Sequence, residues 1–172
     1  MNLIAPLMKK PWLLGFVTTG LGFLLLGAVW PTSGPSQPIR YNHALHVANG
    51  LACEDCHTGV RTGEKASLPS LDTCLMCHRE PLTKSAEEEK IRAFESAGKE
   101  IPWVQITRVP RHVYFSHRRH VSLAGLNCSE CHGSMEKRTE PPRRPFRAMT
   151  MNACIECHQH RNVHYDCNDC HR

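Results

Sequence analysis

The most apolar stretch of the chain lies near its beginning. Residues 11–30 contain no charged side chain, and a helix of that length, rising about 1.5 Å per residue, spans the roughly 30 Å of a membrane's hydrocarbon core. Lys9 and Lys10 precede the stretch, and Trp12 and Trp30 lie at its two ends, where indole rings favour the membrane interface. The pattern therefore predicts a transmembrane helix whose lysine end faces the cytoplasm.

This helix divides the chain into four predicted regions. They are a cytoplasmic N-terminus (1–10), the anchor (11–30), a linker rich in proline and serine (31–39) and a periplasmic domain (40–172). A cleaved signal peptide is the alternative, but its apolar region usually has about 7–15 residues and is followed by a small-residue cleavage site. The segment 28–31, AVWP, is a poor cleavage site. We therefore expect a single-pass protein of the cytoplasmic membrane with its main domain on the periplasmic or extracellular side.

Beyond the anchor, large aliphatic residues and phenylalanine are scarce. Leucine, valine, isoleucine and phenylalanine account for 23 of the 142 residues from 31 to 172, a fraction below the roughly 20% under which disorder is expected. Either this part is unfolded, or something other than these side chains fills its interior. A conventional soluble enzyme is excluded.

One soluble helix is clear from the pattern, over residues 85–97. Ser85 and Glu88 have the spacing of a capping box, and Glu88 and Arg92 have the spacing of an ion pair on one helical face. Gly98 then ends the helix. The remaining segments predict only short helical turns and extended connections.

All ten cysteines fall into five copies of the motif Cys-x-x-Cys-His. This motif is the signature of c-type haem attachment, in which both thiols bind the haem covalently and the histidine ligates its iron. Zinc sites and disulfides also use paired cysteines, but neither requires a histidine directly after each pair. We therefore expect five haem c groups, attached through Cys53, Cys56, Cys74, Cys77, Cys128, Cys131, Cys154, Cys157, Cys167 and Cys170. The motif histidines expected to bind iron are His57, His78, His132, His158 and His171.

Seven histidines remain, enough to give each iron a second ligand. Four of them belong to a duplicated segment, aromatic-x-His-x-x-His, that precedes the first and the third motif. The repeat predicts two units, about 41–78 and 115–158, with the fifth haem at 164–172. The distal ligands it predicts are His43, His46, His117 and His120. For the fifth distal ligand His164 is favoured, and the remaining candidates are His160, His112, Met149 and Met151.

The haems also account for the missing apolar side chains, because large flat macrocycles supply the apolar surface of the interior. The predicted fold class is mostly irregular, with short α-helices wrapped around five haems in two internal haem repeats. The formal charge of +5 does not indicate a nucleic-acid partner. Its basic run, 137–147, is better explained by pairing with haem propionates or by a solvated loop.

Around these motifs the chain resembles the class III multihaem cytochromes c. The stretches QPIRYNHALHV, LPSLDTCLMCHR, IPWVQITRVPRHVYFSHRRHV and CSECHG look more specifically like the membrane-anchored pentahaem subunit of alternative complex III. That resemblance implies docking on an iron–sulfur/molybdopterin-type subunit and on a quinone-linked membrane subunit. It also implies distal roles for the four repeated histidines. Only eight residues separate His158 from Cys167, fewer than expected for that subunit, so a related quinone-linked complex is equally compatible.

These features predict a membrane-anchored pentahaem cytochrome that transfers electrons, without catalysis of its own, between a quinol-oxidising membrane complex and a periplasmic acceptor, in either direction. A stand-alone quinol dehydrogenase cytochrome that feeds a periplasmic reductase is the first competing hypothesis. That family typically has a methionine after its first motif, whereas Thr58 follows His57 here. A multihaem reductase is the second competing hypothesis, and it requires an iron without a distal ligand.

Overall fold

Short helices separated by irregular segments make up the described part of the chain. The computed structural model describes Gly15 and residues 34–171, so the predicted N-terminus, the anchor apart from Gly15 and residues 31–33 of the predicted linker lie outside the described residues. Within the part that is described, no helix has the length and apolar character needed to cross a membrane. Pro35–Arg172 form one compact unit.

The helices follow the motifs closely. In chain order they are α1 (His43–Ala48), α2 (Cys53–Cys56), α3 (Leu71–His78), α4 (Ala86–Ser96), a π-helix (Arg118–Leu123), α5 (Cys128–His132), a 3₁₀ turn (Met135–Lys137), α6 (Met151–His160) and α7 (Cys167–Cys170). Residues 34–171 contain no β-strand, and an isolated antiparallel bridge joins Val113 to His171. The predicted mixture of irregular chain and short helices is confirmed.

Three of the motif helices begin with the same local hydrogen bond. In α2, α5 and α7 the residue just before the second cysteine is acidic. Its carboxylate accepts a hydrogen bond from the backbone N–H of the residue just before the first cysteine. The donor–acceptor pairs are Ala52 and Asp55 (2.7 Å), Asn127 and Glu130 (3.0 Å), and Asp166 and Asp169 (2.8 Å). Because four-residue and five-residue helices are too short to be stable alone, this bond helps to hold the two thiols on one turn.

The two longer motif helices begin earlier and have a hydroxyl cap. Ser70 accepts from the N–H of Thr73 at the start of α3, and Thr150 accepts from the N–H of Ala153 at the start of α6, both at 3.3 Å. Such caps stabilise a helix by about 1 kcal/mol. In α3 the motif ends the helix, and in α6 it occupies the middle.

A small apolar cluster is the core formed by side chains alone. Its buried members come from α3, α4 and two irregular segments: Ile39, Leu71, Leu75, Ile91 and Ile101. Trp103 packs against the cluster and donates from its indole nitrogen to the Pro69 carbonyl at 2.9 Å. Among the described residues no large side chain is completely buried, which agrees with the predicted shortage of aliphatic side chains in the interior.

The predicted helix after the second motif is present as α4, but its N-terminus differs from the prediction. Ser85 caps it by accepting from the N–H of Glu87 at 3.2 Å. Glu88 does not complete a capping box, because its carboxylate accepts instead from the N–H groups of Leu82 and Thr83. The predicted pair with Arg92 is confirmed at 3.3 Å.

Candidate haem sites

The ten cysteines are accessible thiols. All of them lie within residues 34–171, none forms a disulfide and none is fully buried. In this same part of the chain, no three histidine, cysteine or acidic side chains gather in a way that would hold a bare metal ion. The pairs therefore suit covalent attachment to an external group better than a disulfide framework or a zinc site.

Four motif histidines each face a histidine from outside the motifs. Imidazoles bound to opposite faces of one iron, each through a bond of about 2.0 Å, have ring centres about 6 Å apart. The observed centre-to-centre distances match this separation: His46 and His78 at 6.1 Å, His117 and His132 at 6.4 Å, His120 and His158 at 6.2 Å, and His112 and His171 at 5.6 Å. The residues present therefore fit six-coordinate haem.

The remaining motif histidine, His57, lies beside His43. Burial, together with the neighbouring imidazole of His57, lowers the pKa of His43 to about 4. At neutral pH the His43 imidazole is uncharged, which is the form that binds a metal. The Nδ1 of His57 donates to the Ser67 carbonyl at 2.8 Å, so its Nε2 is free to bind iron.

The second ring nitrogens show which tautomer the predicted distal histidines adopt. Nδ1 of His46 donates to the Asn42 carbonyl and Nδ1 of His120 donates to the Ser116 carbonyl, each at 2.8 Å. Both bonds run to the residue four positions earlier, so the two repeats share the arrangement. A donating Nδ1 leaves Nε2 as the ligating atom and holds the ring in one orientation.

The aromatic residue of each repeated segment orients the imidazoles that follow it. Tyr41 stacks on His46 with ring centres 4.2 Å apart and meets His43 edge-on at 4.7 Å. In the second repeat, Phe115 likewise stacks on His120 at 4.7 Å and meets His117 edge-on at 4.9 Å. Two histidines three residues apart are thereby turned toward different motifs.

The fifth motif is faced by His112 and not by the favoured His164. The rings of His112 and His171 are nearly parallel, 8° apart, and the N–H of Tyr114 donates to the Cys170 carbonyl at 2.7 Å, which holds the two segments together. The ring of His164 contacts Asp169 at 3.1 Å, and 84% of its side chain is exposed. His164 was favoured for its nearness in sequence, and the fold brings a more distant segment to this motif.

The sequence also allowed His160, Met149 and Met151 as the fifth ligand. The side chain of His160 is 78% exposed and lies 3.9 Å from Glu156, one turn earlier on α6. Met151 is exposed at the start of the same helix. Met149 is part-exposed in the preceding irregular segment. His112 is therefore the candidate that stacks against His171.

The thiols show which motifs adjoin in the first half of the domain. Burial, together with the first-motif thiol of Cys56, raises the pKa of Cys74 to about 11. Burial also raises the pKa of Cys53, and Cys128 of the third motif, within hydrogen-bonding reach, adds to the rise. The first motif is thus a neighbour of both the second and the third.

Thiols of the second half form a similar series. Burial raises the pKa of Cys131 and of Cys154. Cys157 of the fourth motif raises the pKa of Cys131, and Cys170 of the fifth motif raises that of Cys154. The five motifs therefore adjoin in the order second, first, third, fourth and fifth.

Backbone and side-chain contacts also make the first and the fourth motif neighbours of the third. The N–H of Ala44, on the helix that faces the first two motifs, donates to the Arg138 carbonyl just after the third motif at 2.9 Å. Nδ1 of His117 donates to the Glu64 carbonyl, in the loop after the first motif, at 3.0 Å. Arg161 pairs with Glu130, so the segment after the fourth motif is tied to the third.

A buried carboxylate lies beside the second motif, although its position in the sequence predicted only a helix-capping role and an ion pair with Arg92. Glu88 is 5% exposed. A hydrogen bond from the Thr83 hydroxyl, followed by one from the Leu82 N–H, holds the pKa of Glu88 at about 2. Its position ten residues after His78 gave no signal of a contact with that histidine, which depends on how α4 packs on α3.

Comparison with known proteins gives two family matches. Residues 45–140 match the profile of cytochrome c3, and residues 113–172 match that of cytochrome c7 and related cytochrome c. The chain is also similar to a curated protein of Nitratidesulfovibrio vulgaris strain Hildenborough, the menaquinone reductase multiheme cytochrome c subunit. The two are 38% identical over 107 residues, which is 61% of this chain and 50% of the relative. The chain thus spans about half the length of that relative.

Proposed function

Since this chain belongs to the cytochrome c3 family, we propose that it is a pentahaem electron carrier anchored in the cytoplasmic membrane and working within a quinone-linked complex. The observation that carries the proposal is the pairing of motif histidines with histidines from outside the motifs. When bound, each haem supplies an iron that alternates between the ferric and ferrous states. The chain's own residues hold, orient and shield these groups.

The proposed attachment uses both thiols of each motif, and the proposed iron ligands are five histidine pairs. With two histidines to hold each haem iron, no iron would be left open for a small substrate. This supports a carrier over a reductase. The five pairs are His57 with His43, His78 with His46, His132 with His117, His158 with His120, and His171 with His112.

The adjacency of the motifs supports a path through the domain. Its ends are the second motif, on α3, and the fifth motif, on α7. The first, third and fourth motifs lie between them, each neighbouring the motif before and after it. In such a row of haems, an electron enters at one end and leaves at the other. This arrangement suits electron transfer between two partners.

The curated relative supports the choice of partners, because its name places it in a menaquinone reductase. We infer a quinone-linked membrane subunit and an iron–sulfur/molybdopterin-type subunit as partners on one side, and a periplasmic acceptor or donor on the other. Membership of alternative complex III or of a related complex is part of this proposal. The anchor at residues 11–30 and the periplasmic location of residues 40–172 belong to it as well.

The first test is the haem content of the mature chain purified from membranes. Mass spectrometry should give the mass of the polypeptide, including residues 1–30, plus five haems. Electron paramagnetic resonance of the oxidised protein should show low-spin iron only. Fewer than five haems or a high-spin site would contradict the proposed ligand set, and an N-terminus at residue 31 or beyond would contradict the anchor.

The second test concerns the partners. Purification through a tag on residue 172, in mild detergent, should retain a quinone-linked membrane protein and an iron–sulfur protein. Reduction of the attached haems by a menaquinol analogue should then require those subunits. Rapid reduction of the isolated chain by the quinol analogue would instead favour a stand-alone quinol dehydrogenase.

A further inference from the structure

Glu88 is a buried carboxylate with an unusually complete set of donors. Its Oε1 accepts from the Leu82 N–H at 2.6 Å, and its Oε2 accepts from the N–H and the hydroxyl of Thr83 at 2.9 and 2.5 Å. Arg92 reaches Oε1 at 3.3 Å. These donors suit an ionised carboxylate, and they fix the side chain in one position between α3 and α4.

One further polar group faces this carboxylate. Nδ1 of His78 lies 3.4 Å from Oε1 of Glu88. This nitrogen is buried and has no hydrogen bond of normal geometry, to Glu88 or to any other group, so Glu88 is the charged acceptor placed to take its proton. In His46, His57, His117 and His120 the corresponding nitrogen instead donates to a neutral backbone carbonyl. The imidazole of the second motif is therefore set apart by a charged neighbour.

We propose that Glu88 is a positioning residue for the second haem: it accepts the Nδ1 proton of His78 and so strengthens the bond from Nε2 to iron. This inference rests on the proposed function, in which His78 ligates the second haem. A carboxylate bonded to the far nitrogen of a metal-bound imidazole fixes the ring and raises its basicity. A more basic ligand favours ferric over ferrous iron, so the reduction potential of this haem is lowered relative to a carbonyl-bonded partner.

The place of this contact in the domain makes the effect useful. The second motif is one end of the proposed path, and its neighbour is the first motif, whose His57 donates to a carbonyl. Lowering the reduction potential of this terminal haem alone creates a difference in potential between the haem that faces a partner and the other four haems. Glu88 thus distinguishes the two haems held by one distal helix, α1.

The test is Glu88→Gln, which keeps the size of the side chain and removes its charge. Potentiometric titration of the holoprotein should show one of the five midpoint potentials shifted upward and four unchanged. The matched control is Glu89→Gln, which removes the same charge from an exposed neighbour on the same helix and should shift none. Five unchanged potentials in Glu88→Gln would overturn the inference.

A second control separates the effect from a loss of structure. Thr83→Ala removes one donor to the carboxylate and perturbs the same loop, but it leaves Glu88 opposite His78. It should lower the melting temperature without moving the potential. An equal upward shift in Thr83→Ala would assign the effect to the loop and overturn the role of the charge.

The shifted haem is identified in the double variant His46→Ala, Glu88→Gln. Loss of the distal ligand should make the second haem high spin, and the Glu88→Gln shift should then appear in the high-spin component. A shift that stays in a low-spin haem would overturn the assignment to His78.

If Glu88→Gln does not mature, the wild-type protein still gives a result. Nuclear magnetic resonance of the fully reduced, ¹⁵N-histidine-labelled protein should show one iron-bound histidine whose Nδ1 proton resonates downfield of the others. Ten iron-bound histidines without such a downfield signal would overturn the inference. Haem content and spin state are measured first, so a failure of the proposed function is seen independently as a missing or high-spin haem.

Discussion

The ring of His112 lies parallel to that of His171, with 5.6 Å between their centres. The contact is built by the backbone, since Val113 forms an antiparallel bridge with His171 and the Tyr114 N–H donates to the Cys170 carbonyl. The segment just before the second repeat is thereby fastened to the fifth motif. The distance suits two imidazoles on opposite faces of one iron.

His112→Ala should therefore open the fifth iron. We expect one haem to change from low to high spin while five haems remain attached, because both thiols of the fifth motif are retained. Electron paramagnetic resonance of the oxidised protein measures the change. His164→Ala is the matched control and should leave all haems low spin. The reverse pattern would return the fifth ligand to His164.

His117→Ala should open the third iron and also weaken the fold. The imidazole faces His132 at 6.4 Å, and its Nδ1 donates to the Glu64 carbonyl at 3.0 Å. Losing that hydrogen bond costs about 1 kcal/mol, in addition to the loss of the iron ligand. Spin state and thermal unfolding measure the two effects. Arg118→Ala, which changes an exposed neighbour, should cause neither, and a low-spin His117→Ala protein would contradict the pairing.

Removing a haem should change the midpoint potentials of the haems on neighbouring motifs. The number of changed potentials should equal the number of those neighbours. Cys74→Ser with Cys77→Ser removes the terminal second haem, and we expect the midpoint potential of one other haem to change. Cys128→Ser with Cys131→Ser removes the third haem, and two should change, because interactions between charges fall with distance. Potentiometric titration of both variants tests the order. Equal numbers of changed potentials would contradict it.

The chain produced without haem attachment should be largely disordered. The apolar cluster around Leu71, Leu75 and Ile91 is the main core supplied by side chains, and so small a core does not offset the entropy of ordering the chain. Far-ultraviolet circular dichroism should show little helix in the haem-free chain and clear helix in the holoprotein. A cooperative thermal transition of the haem-free chain would contradict this expectation.

The apolar cluster should nevertheless matter in the holoprotein. Ile91 is 7% exposed and joins α4 to α3, so Ile91→Ala should cost about 2–5 kcal/mol of unfolding free energy. Chemical denaturation followed by haem absorbance measures the loss. Glu89→Ala on the exposed face of α4 should change it by less than about 0.5 kcal/mol. A loss in Ile91→Ala no larger than that of the control would show that the haems alone stabilise this region.

Local chemistry was readable in the sequence. The Cys-x-x-Cys-His spacing identified the cysteines and histidines of the candidate sites before any fold was known, and the repeated aromatic-x-His-x-x-His segment marked four further histidines. The structure gives these segments matching hydrogen bonds, such as those of His46 and His120 to the carbonyls four residues earlier. The helix α4 was also predictable, since its cap and its ion pair are local.

Contacts between segments far apart in the chain could not be predicted from the sequence in the same way. The approach of His112 to His171 depends on a backbone bridge between segments far apart in sequence, and nearness along the chain pointed to His164 instead. The neighbouring thiols of Cys53 and Cys128 likewise come from different repeats. Glu88 had the spacing of a capping box, but the free N–H groups of Leu82 and Thr83 lie closer to its carboxylate once the loop has folded.

The histidine pairs have a direction along the chain. In every pair the histidine from outside the motifs precedes its motif histidine, from His43 before His57 to His112 before His171. A chain that is synthesised and exported N-terminus first therefore delivers each distal histidine before the thiols of its partner motif appear. Maturation can then proceed vectorially, with each newly attached haem closed by a side chain that has already emerged. Under the proposed export to the periplasm, no iron would wait for a ligand still inside the cell.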